Sequence, residues 1–529
     1  EVKERQAQAA ITAALGVHFS ALARPAGTAD PTGPAAAFAA PPAMGPVVPG
    51  QRFDVRAVFT SRGRVGVTLA RLALEAAPGW TVTGGPATPA PARPNDPIVA
   101  TFGVTVPPDA RPTQPYFRRA SLAENRYTVD DPSLLFQPAS PPPLVAVAAY
   151  EIEGQRVEVR EPVRRLEPNL PYGHNTYTLA VVPAIAVTLE PSQAIVPTAA
   201  ADKRVRLRAE IVHNHDGATE GRLALRLPPG WTADPPAHEF RFSRAGERAS
   251  YGFTVRLPAI EARDYRIEAV ATAGGREYRE GYTLIQKRDL ETRYLYRPAA
   301  AGVRGIDVQI TAGLRVGYVM GIGDDVPSGI AQLGAEVRLL DAGDLAAADL
   351  RAFDAIVLGT RAYAAREDLR TYNHRLLDYV RNGGNLIVLY NTQEFEPSRF
   401  APYPGELPRG AEEVSEEDSP VEILAPSHPV LTTPNRITAA DFQGWVEQRG
   451  SKFWSAWAPE YTPIIATWDR GQAPQKGGWL HARYGRGHYT YFAYAFHRQL
   501  PYGVPGAYRL LANLLSLGKT APGGATPEG

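Results

Sequence analysis

Pro78-Gly79-Trp80-Thr81 recurs as Pro229-Gly230-Trp231-Thr232, and Phe102-Gly103-Val104 is echoed by Phe253-Thr254-Val255 at the same spacing of 151 residues. Two separate matches at one offset mark an internal duplication. Around each copy the apolar residues alternate: Phe53, Val55, Ala57 and Phe59 in the first, Val205, Leu207, Ala209 and Ile211 in the second. A period of two is the pattern of half-buried strands. In each copy the Pro-Gly pair makes a turn and the Trp opens a strand, where a large ring fills the space between two sheets. The pattern predicts two tandem β-sandwiches of immunoglobulin-like type, assigned to residues 44–190 and 191–300. Such modules bind or space other groups.

The copies are unequal. The second runs directly into its closing strands, Tyr265–Val270 and Tyr278–Ile285. The first reaches the equivalent Val145–Tyr150 and Gln155–Val159 only after an insertion, residues 109–143. A long loop grafted on one copy of a repeated scaffold is a place for recognition. Tyr116, Phe117, Arg118, Arg119 and Tyr127 are its candidate ligand-binding groups; the alternative is a flap over an exposed sheet edge.

Residues 1–43 read as a helix over Val2–Leu15, closed by Gly16, followed by an extended Pro/Ala-rich linker. The pattern changes after Ala312. Apolar strands Leu314–Met320, Glu336–Leu340, Phe353–Leu358 and Asn385–Tyr390 alternate with helices Pro327–Leu333 and Arg366–Arg381. That order predicts a doubly wound α/β domain with a parallel sheet over 301–519. Residues 520–529 read as a disordered tail.

A chain of 529 residues suits three domains of ordinary size. Its formal net charge of +1 gives no basis for binding nucleic acid. There is no cysteine, so disulfides, thiolate metal sites and a cysteine nucleophile are excluded. No apolar run approaches the roughly 18 residues that span a bilayer. The first residues lack a signal-peptide layout, and without an initiator methionine the chain is expected to be processed or trimmed.

The carboxyl ends of the parallel strands would gather Asp324, Arg361, Asn391, Glu394 and His497. They are candidates to bind a small polar ligand, or to act as caps and loop ion pairs. Gly321-Ile322-Gly323 is a poor dinucleotide signature, because Asp324 and Asp325 follow and repel phosphate; Asp325 is expected as a helix N-cap. His213 and His215 lack a third metal ligand. The acidic run Glu412, Glu413, Glu416, Glu417 and Asp418 reads as a solvated loop. Trp445, Phe453, Trp454, Trp457, Tyr461 and Trp468 are dense for a surface and read as an apolar wall or interface.

The last domain is similar to the class I glutamine amidotransferase-like superfamily, through Ile356-Val357-Leu358-Gly359, the Gly383-Gly384 turn and the strand Leu386–Tyr390. That family keeps a cysteine nucleophile at the turn after such a strand, where this chain has Tyr390-Asn391-Thr392-Gln393. His497 falls roughly where the family has its catalytic histidine. The resemblance therefore implies a degenerate, non-catalytic version.

Over nearly its whole length the chain resembles the C-terminal region of the large multidomain PIG-L (LmbE-like) deacetylases of bacteria. The resemblance rests on Arg297-Pro298-Ala299, the run Gly317–Pro327, Arg361-Ala362-Tyr363, Leu377–Val380, Asp441–Val446 and Arg498–Gly506. It implies an upstream zinc-dependent domain acting on N-acetylated sugars or related amides and marked by His-Pro-Asp-Asp. Here only His428-Pro429-Val430 occurs, so zinc is expected only in that other domain, with no catalytic or metal residue in this chain. The implied role is an accessory one, in substrate recognition, positioning or assembly. The implied partners are the chain's own deacetylase domain and a carbohydrate or glycoconjugate, and an extracytoplasmic location follows by analogy. Two alternatives remain. One is an autonomous hydrolase using the cleft of the α/β domain; the other is a β-sandwich array that self-assembles as a homo-oligomer through the tryptophan-rich surface.

Overall fold

A computed structural model describes residues 2–30, 32–33, 39–85, 89–119, 124, 126–288 and 290–519; the expected tail, 520–529, lies outside them. The chain is β-rich and multidomain, with sandwich-like domains. In the first β-domain, strand Arg52–Ser61 pairs with Ile98–Thr105, which pairs with Thr81–Gly84. Facing it, Val67–Ala76 pairs with Leu144–Ile152. The second β-domain repeats this order: Arg204–His213 pairs with Arg248–Arg256, then Thr232–Asp234. Its facing sheet pairs Thr219–Arg226 with Asp264–Ala273.

The alternating residues of the sequence form the two cores, Phe53, Val55, Ala57 and Phe59 in one and Val205, Leu207, Ala209 and Ile211 in the other. The repeated tryptophans are not equivalent. Trp231 is buried, 5.1 Å from the Tyr265 ring. Trp80 is half-buried, edge-on to Phe53 at 6.3 Å.

Residues 17–25 correct the linker expectation. They form a strand, Val17–Pro25, paired along its length with Arg52–Ser61. Val17, Phe19, Ala21 and Ala23 point inward, a period of two that the small alanines disguise. The N-terminal helix, Val2–Ala14, is anchored to this domain: Thr12 Oγ1 and the Tyr150 hydroxyl are buried together at 2.9 Å. The expected seams also shift. Ile185–Glu190 and Ala300–Ile306 both pair within the second β-domain.

The C-terminal sheet runs Glu336–Leu339, Arg315–Val319, Ala355–Leu358, Asn385–Leu389, Gly487–Phe492, Trp479–Tyr484, Thr462–Pro463. The first five strands are parallel, Trp479–Tyr484 runs against them, and Thr462–Pro463 pairs antiparallel to it, so the sheet is mixed. Ala355–Leu358 and Asn385–Leu389 are buried at every position, as central strands covered on both faces must be.

Trp445, Phe453, Trp454 and Tyr461 lie inside this core, which corrects the reading of a tryptophan-rich surface. Trp454 packs 5.0 Å from Tyr491 and 5.3 Å from Tyr461. Most of the aromatic wall faces the domain's own sheet, while Trp457 and Trp468 are half-buried. The acidic run is likewise only partly a loop. Glu412–Val414 is a strand paired with Gly450–Phe453, while Glu416 and Asp418 meet Arg470 at 3.8 and 2.9 Å. Among the described residues no helix is long and apolar enough to cross a membrane.

Candidate functional site at the strand ends

Four neighbouring parallel strands, ending at Val319, Leu358, Leu389 and Phe492, deliver their following loops to one edge of the sheet. Asp324 holds two of these loops together. Its Oδ1 accepts from the Tyr318 hydroxyl at 2.7 Å and from Val326 N–H at 3.1 Å; its Oδ2 accepts from Thr360 N–H at 3.1 Å. Val326 opens the helix Val326–Gln332, so Asp324 caps it, and Asp325, the expected N-cap, makes no side-chain cap bond. Burial pushes the Tyr318 phenol far up, and the Asp324 charge and hydrogen bond add to this.

Gly321 is required by packing. A Cβ there would stand 2.0 Å from Thr360 O, and Ile322 N–H donates to the same oxygen at 3.1 Å.

Arg361 sits in the left-handed region, φ 54° and ψ 34°, ahead of the short helix Ala362–Ala365. For a side chain of this size that conformation costs about 1–3 kcal/mol. Its N–H donates to Tyr390 O at 2.8 Å. Asn391 is fully buried and both ends of its amide are engaged. Its carbonyl accepts from Tyr363 N–H at 3.0 Å, and its amino group donates to Leu389 O at 2.9 Å. Glu394 accepts from the Thr392 hydroxyl, which holds its carboxyl below the usual range, helped by the Arg361 and Arg370 charges. The His497 ring lies 5.8 Å from Tyr390. Burial lowers the His497 imidazole, and the Asp324 charge pulls it partly back.

Four of the predicted residues stand on loops at this edge, and His497 stands in the short helix Phe496–Gln499 that follows the last of these strands. Among the described residues, however, no hydrogen bond joins Asp324, Arg361 and His497 to one another. The side chains of Asp324, Asn391 and Glu394 are used to fix loops.

The insertion residues lie elsewhere, on a hairpin of the first β-domain formed by Phe117–Arg118 and Thr128–Val129. Phe117 is edge-on to Tyr116 at 5.1 Å and to Tyr127 at 5.3 Å, and Arg119 lies over the Tyr127 ring at 5.4 Å. Arg118 pairs with Asp130 at 2.9 Å, and the Tyr116 hydroxyl donates to Gln137 O at 2.8 Å.

One cluster escaped the sequence reading. His428 Nε2 lies 3.1 Å from His481 Nδ1, and His481 Nε2 lies 3.0 Å from His488 Nδ1. His481 and His488 sit on the hairpin Trp479–Tyr484 and Gly487–Phe492, a signal within reach of sequence. His428 arrives from a separate loop. Burial pushes His481 down to about 2 and His488 to about 4, with the Arg483 charge adding to both.

Among the described residues no group of three or more His, Asp or Glu side chains is arranged to hold a metal, and His428 engages Val430 N–H and His481 with its two nitrogens. His213 is buried against Arg244 O and Thr219 Oγ1, its ring 6.4 Å from His215.

The crystal structure of the cold-adapted beta-galactosidase from Rahnella sp. R3 shares 14% identity with this chain at a TM-score of 0.26. The alignment covers 40% of this chain and 31% of that one, so the chain spans less than a third of that relative's length. No curated protein matches the chain. The family described as the NPCBM-associated, NEW3 domain of alpha-galactosidase matches residues 47–122, a segment of the first β-domain.

Proposed function

We propose that this chain is a non-catalytic, carbohydrate-directed accessory region of a PIG-L (LmbE-like) deacetylase of N-acetylated sugars. It would recognise or position substrate for a zinc-bearing catalytic domain of the same polypeptide, in an extracytoplasmic setting. The observation that carries the carbohydrate link is the match of residues 47–122 to a domain family named for a glycosidase.

The strand-end geometry supports a structural role for these side chains over a catalytic one. Asp324 accepts three hydrogen bonds from its own loops, and both ends of the Asn391 amide serve the backbone. A general base or nucleophile needs a group free to reach substrate. We take the two β-domains as immunoglobulin-like. We take the C-terminal domain as a degenerate amidotransferase-like unit, supported by its five adjacent parallel strands.

The test compares hydrolysis of N-acetylated sugars by the native polypeptide and by this chain alone. Turnover is expected from the native polypeptide and none from the chain. Deacetylation or other hydrolysis of sugar substrates by the isolated chain would overturn the reading.

A further inference from the structure

A cavity of about 870 Å³ opens between the second β-domain and the C-terminal domain. That lies within the range of small-ligand sites, about 300–1,000 Å³, which favour domain interfaces. Its walls are the outer faces of strands Ile185–Glu190 and Arg204–His213, the ribbon of Glu280–Ile285 and Arg293–Pro298, and helix Val326–Gln332 with Leu500 and Tyr508.

The walls are fixed to one another. Ile195 N–H donates to Gln332 Oε1 at 2.7 Å across the domain boundary, and Arg304 Nη1 donates to Gly503 O at 3.1 Å. Ile195, Ile306 and Val308 belong to the core of the C-terminal domain. The ribbon is pressed so closely to the second β-domain that a Cβ on Gly281 would stand 2.4 Å from Val187 O. The cavity is therefore built in advance of any ligand, which lowers the entropy cost of binding.

Its lining is ionic and unevenly satisfied. Arg208 pairs with Glu190 at 2.9 Å, and Arg248 with Glu210 at 3.2 Å. Arg206 and Arg297 line the same space from two different walls. Both are exposed, and among the described residues no side-chain hydrogen bond or ion pair engages either guanidinium. The Asp325 carboxylate lines the far wall, and Arg206, Arg208, Arg248 and Arg297 outnumber the lining carboxylates Glu190, Glu210 and Asp325. A guanidinium presents a planar fork of donors that matches carboxylate and sulfate groups. The two ion pairs between them offer oriented donors and acceptors suited to hydroxyl groups. The Tyr282 ring is turned to Tyr294 and Tyr296, at 5.2 and 5.7 Å, and the Tyr508 hydroxyl donates to Leu500 O. A base-stacking ligand thus has little to lie on, whereas a hydroxyl-rich anion is well served.

We propose that this cavity binds an acidic oligosaccharide, a short sugar chain bearing carboxylate or sulfate groups, with Arg206 and Arg297 as its anion-binding residues. The inference rests on the carbohydrate-directed reading and adds to it the site and the charge of the sugar.

Calorimetric titration of the whole chain tests it with three probes. These are tetragalacturonate, its neutral methyl ester, and a chondroitin sulfate tetrasaccharide. One or both acidic probes should bind, and the methyl ester should bind at least tenfold more weakly than tetragalacturonate if the carboxylate is the recognised group. Arg206→Ala and Arg297→Ala should each weaken acidic binding by about tenfold or more, the usual effect of losing a charged hydrogen bond. Arg222→Ala, on strand Thr219–Arg226 outside the cavity, should leave it unchanged, and circular dichroism should show all three variants folded. Acidic binding that survives the Arg206→Ala/Arg297→Ala double variant overturns the site while leaving the carbohydrate reading intact. Equal binding of tetragalacturonate and its ester, with no preference for the sulfated probe, overturns the charge requirement. Failure of both acidic probes overturns the proposal, and the deacetylation comparison then decides the broader reading separately.

Discussion

Lowering the pH from 7 to 5 should destabilise the C-terminal domain by about 4 kcal/mol through His481 and His488 alone. From an ordinary 6.5, burial pushes His481 to about 2 and His488 to about 4 in the folded protein. For His481 the neighbouring His428, His488 and Arg483 charges add to burial; for His488, Arg483 and His428 do. At pH 5 both stay neutral when folded, while in the unfolded chain both are protonated. The unfolded state then binds more protons, so stability rises with pH across this window. The penalty is nearly absent above 6.5, grows as the pH falls, and levels off for His488 once about 4 is passed. Each group contributes about 2 kcal/mol between pH 7 and pH 5, from 1.36 kcal/mol per pH unit below its unfolded value. Urea unfolding followed by tryptophan fluorescence reads this directly, because Trp445, Trp454 and Trp479 are buried in that domain. His488→Asn should remove about half of the pH dependence. A wild-type midpoint that hardly moves between pH 7 and pH 5, or one that His488→Asn leaves equally steep, would refute the reasoning.

Three further outcomes follow from packing. Trp231→Ala should cost about 3–5 kcal/mol, and Trp80→Ala clearly less, because Trp231 is buried and Trp80 only half so; chemical denaturation of the two variants compares them. Gly281→Ala should lower the melting temperature and raise protease sensitivity in the ribbon, since the new Cβ meets Val187 O at 2.4 Å. Arg361→Gly should raise stability by about 1 kcal/mol by relieving the left-handed backbone, seen as a higher denaturation midpoint.

The duplicated β-domains were legible because a turn, a large ring and a period of two leave marks in local sequence. Strand Val17–Pro25 was not, since its inward positions include Ala21 and Ala23, whose small side chains blur the contrast with polar neighbours. The tryptophan-rich segment shows the opposite difficulty. Its aromatic density is plain in sequence, but the direction of Trp454 depends on Tyr461 and Tyr491, and Tyr491 stands on another strand. Asp324 and Asp325 are adjacent carboxylates that spacing cannot separate; the Tyr318 hydroxyl and Thr360 N–H choose between them. His428 reaches His481 only through folding of two distant segments, and the interdomain cavity depends on separate elements brought together by the domain boundary. The placing of these loops at one edge was foreseeable, because parallel strands must send their following loops to the same side.

The accessory role is tested most directly by the intact mass of the native polypeptide. A mass exceeding the 57.2 kDa of this chain by that of a further domain carrying a His-Pro-Asp-Asp segment is the predicted result. A native polypeptide that begins at Glu1 and ends at Gly529 would contradict it.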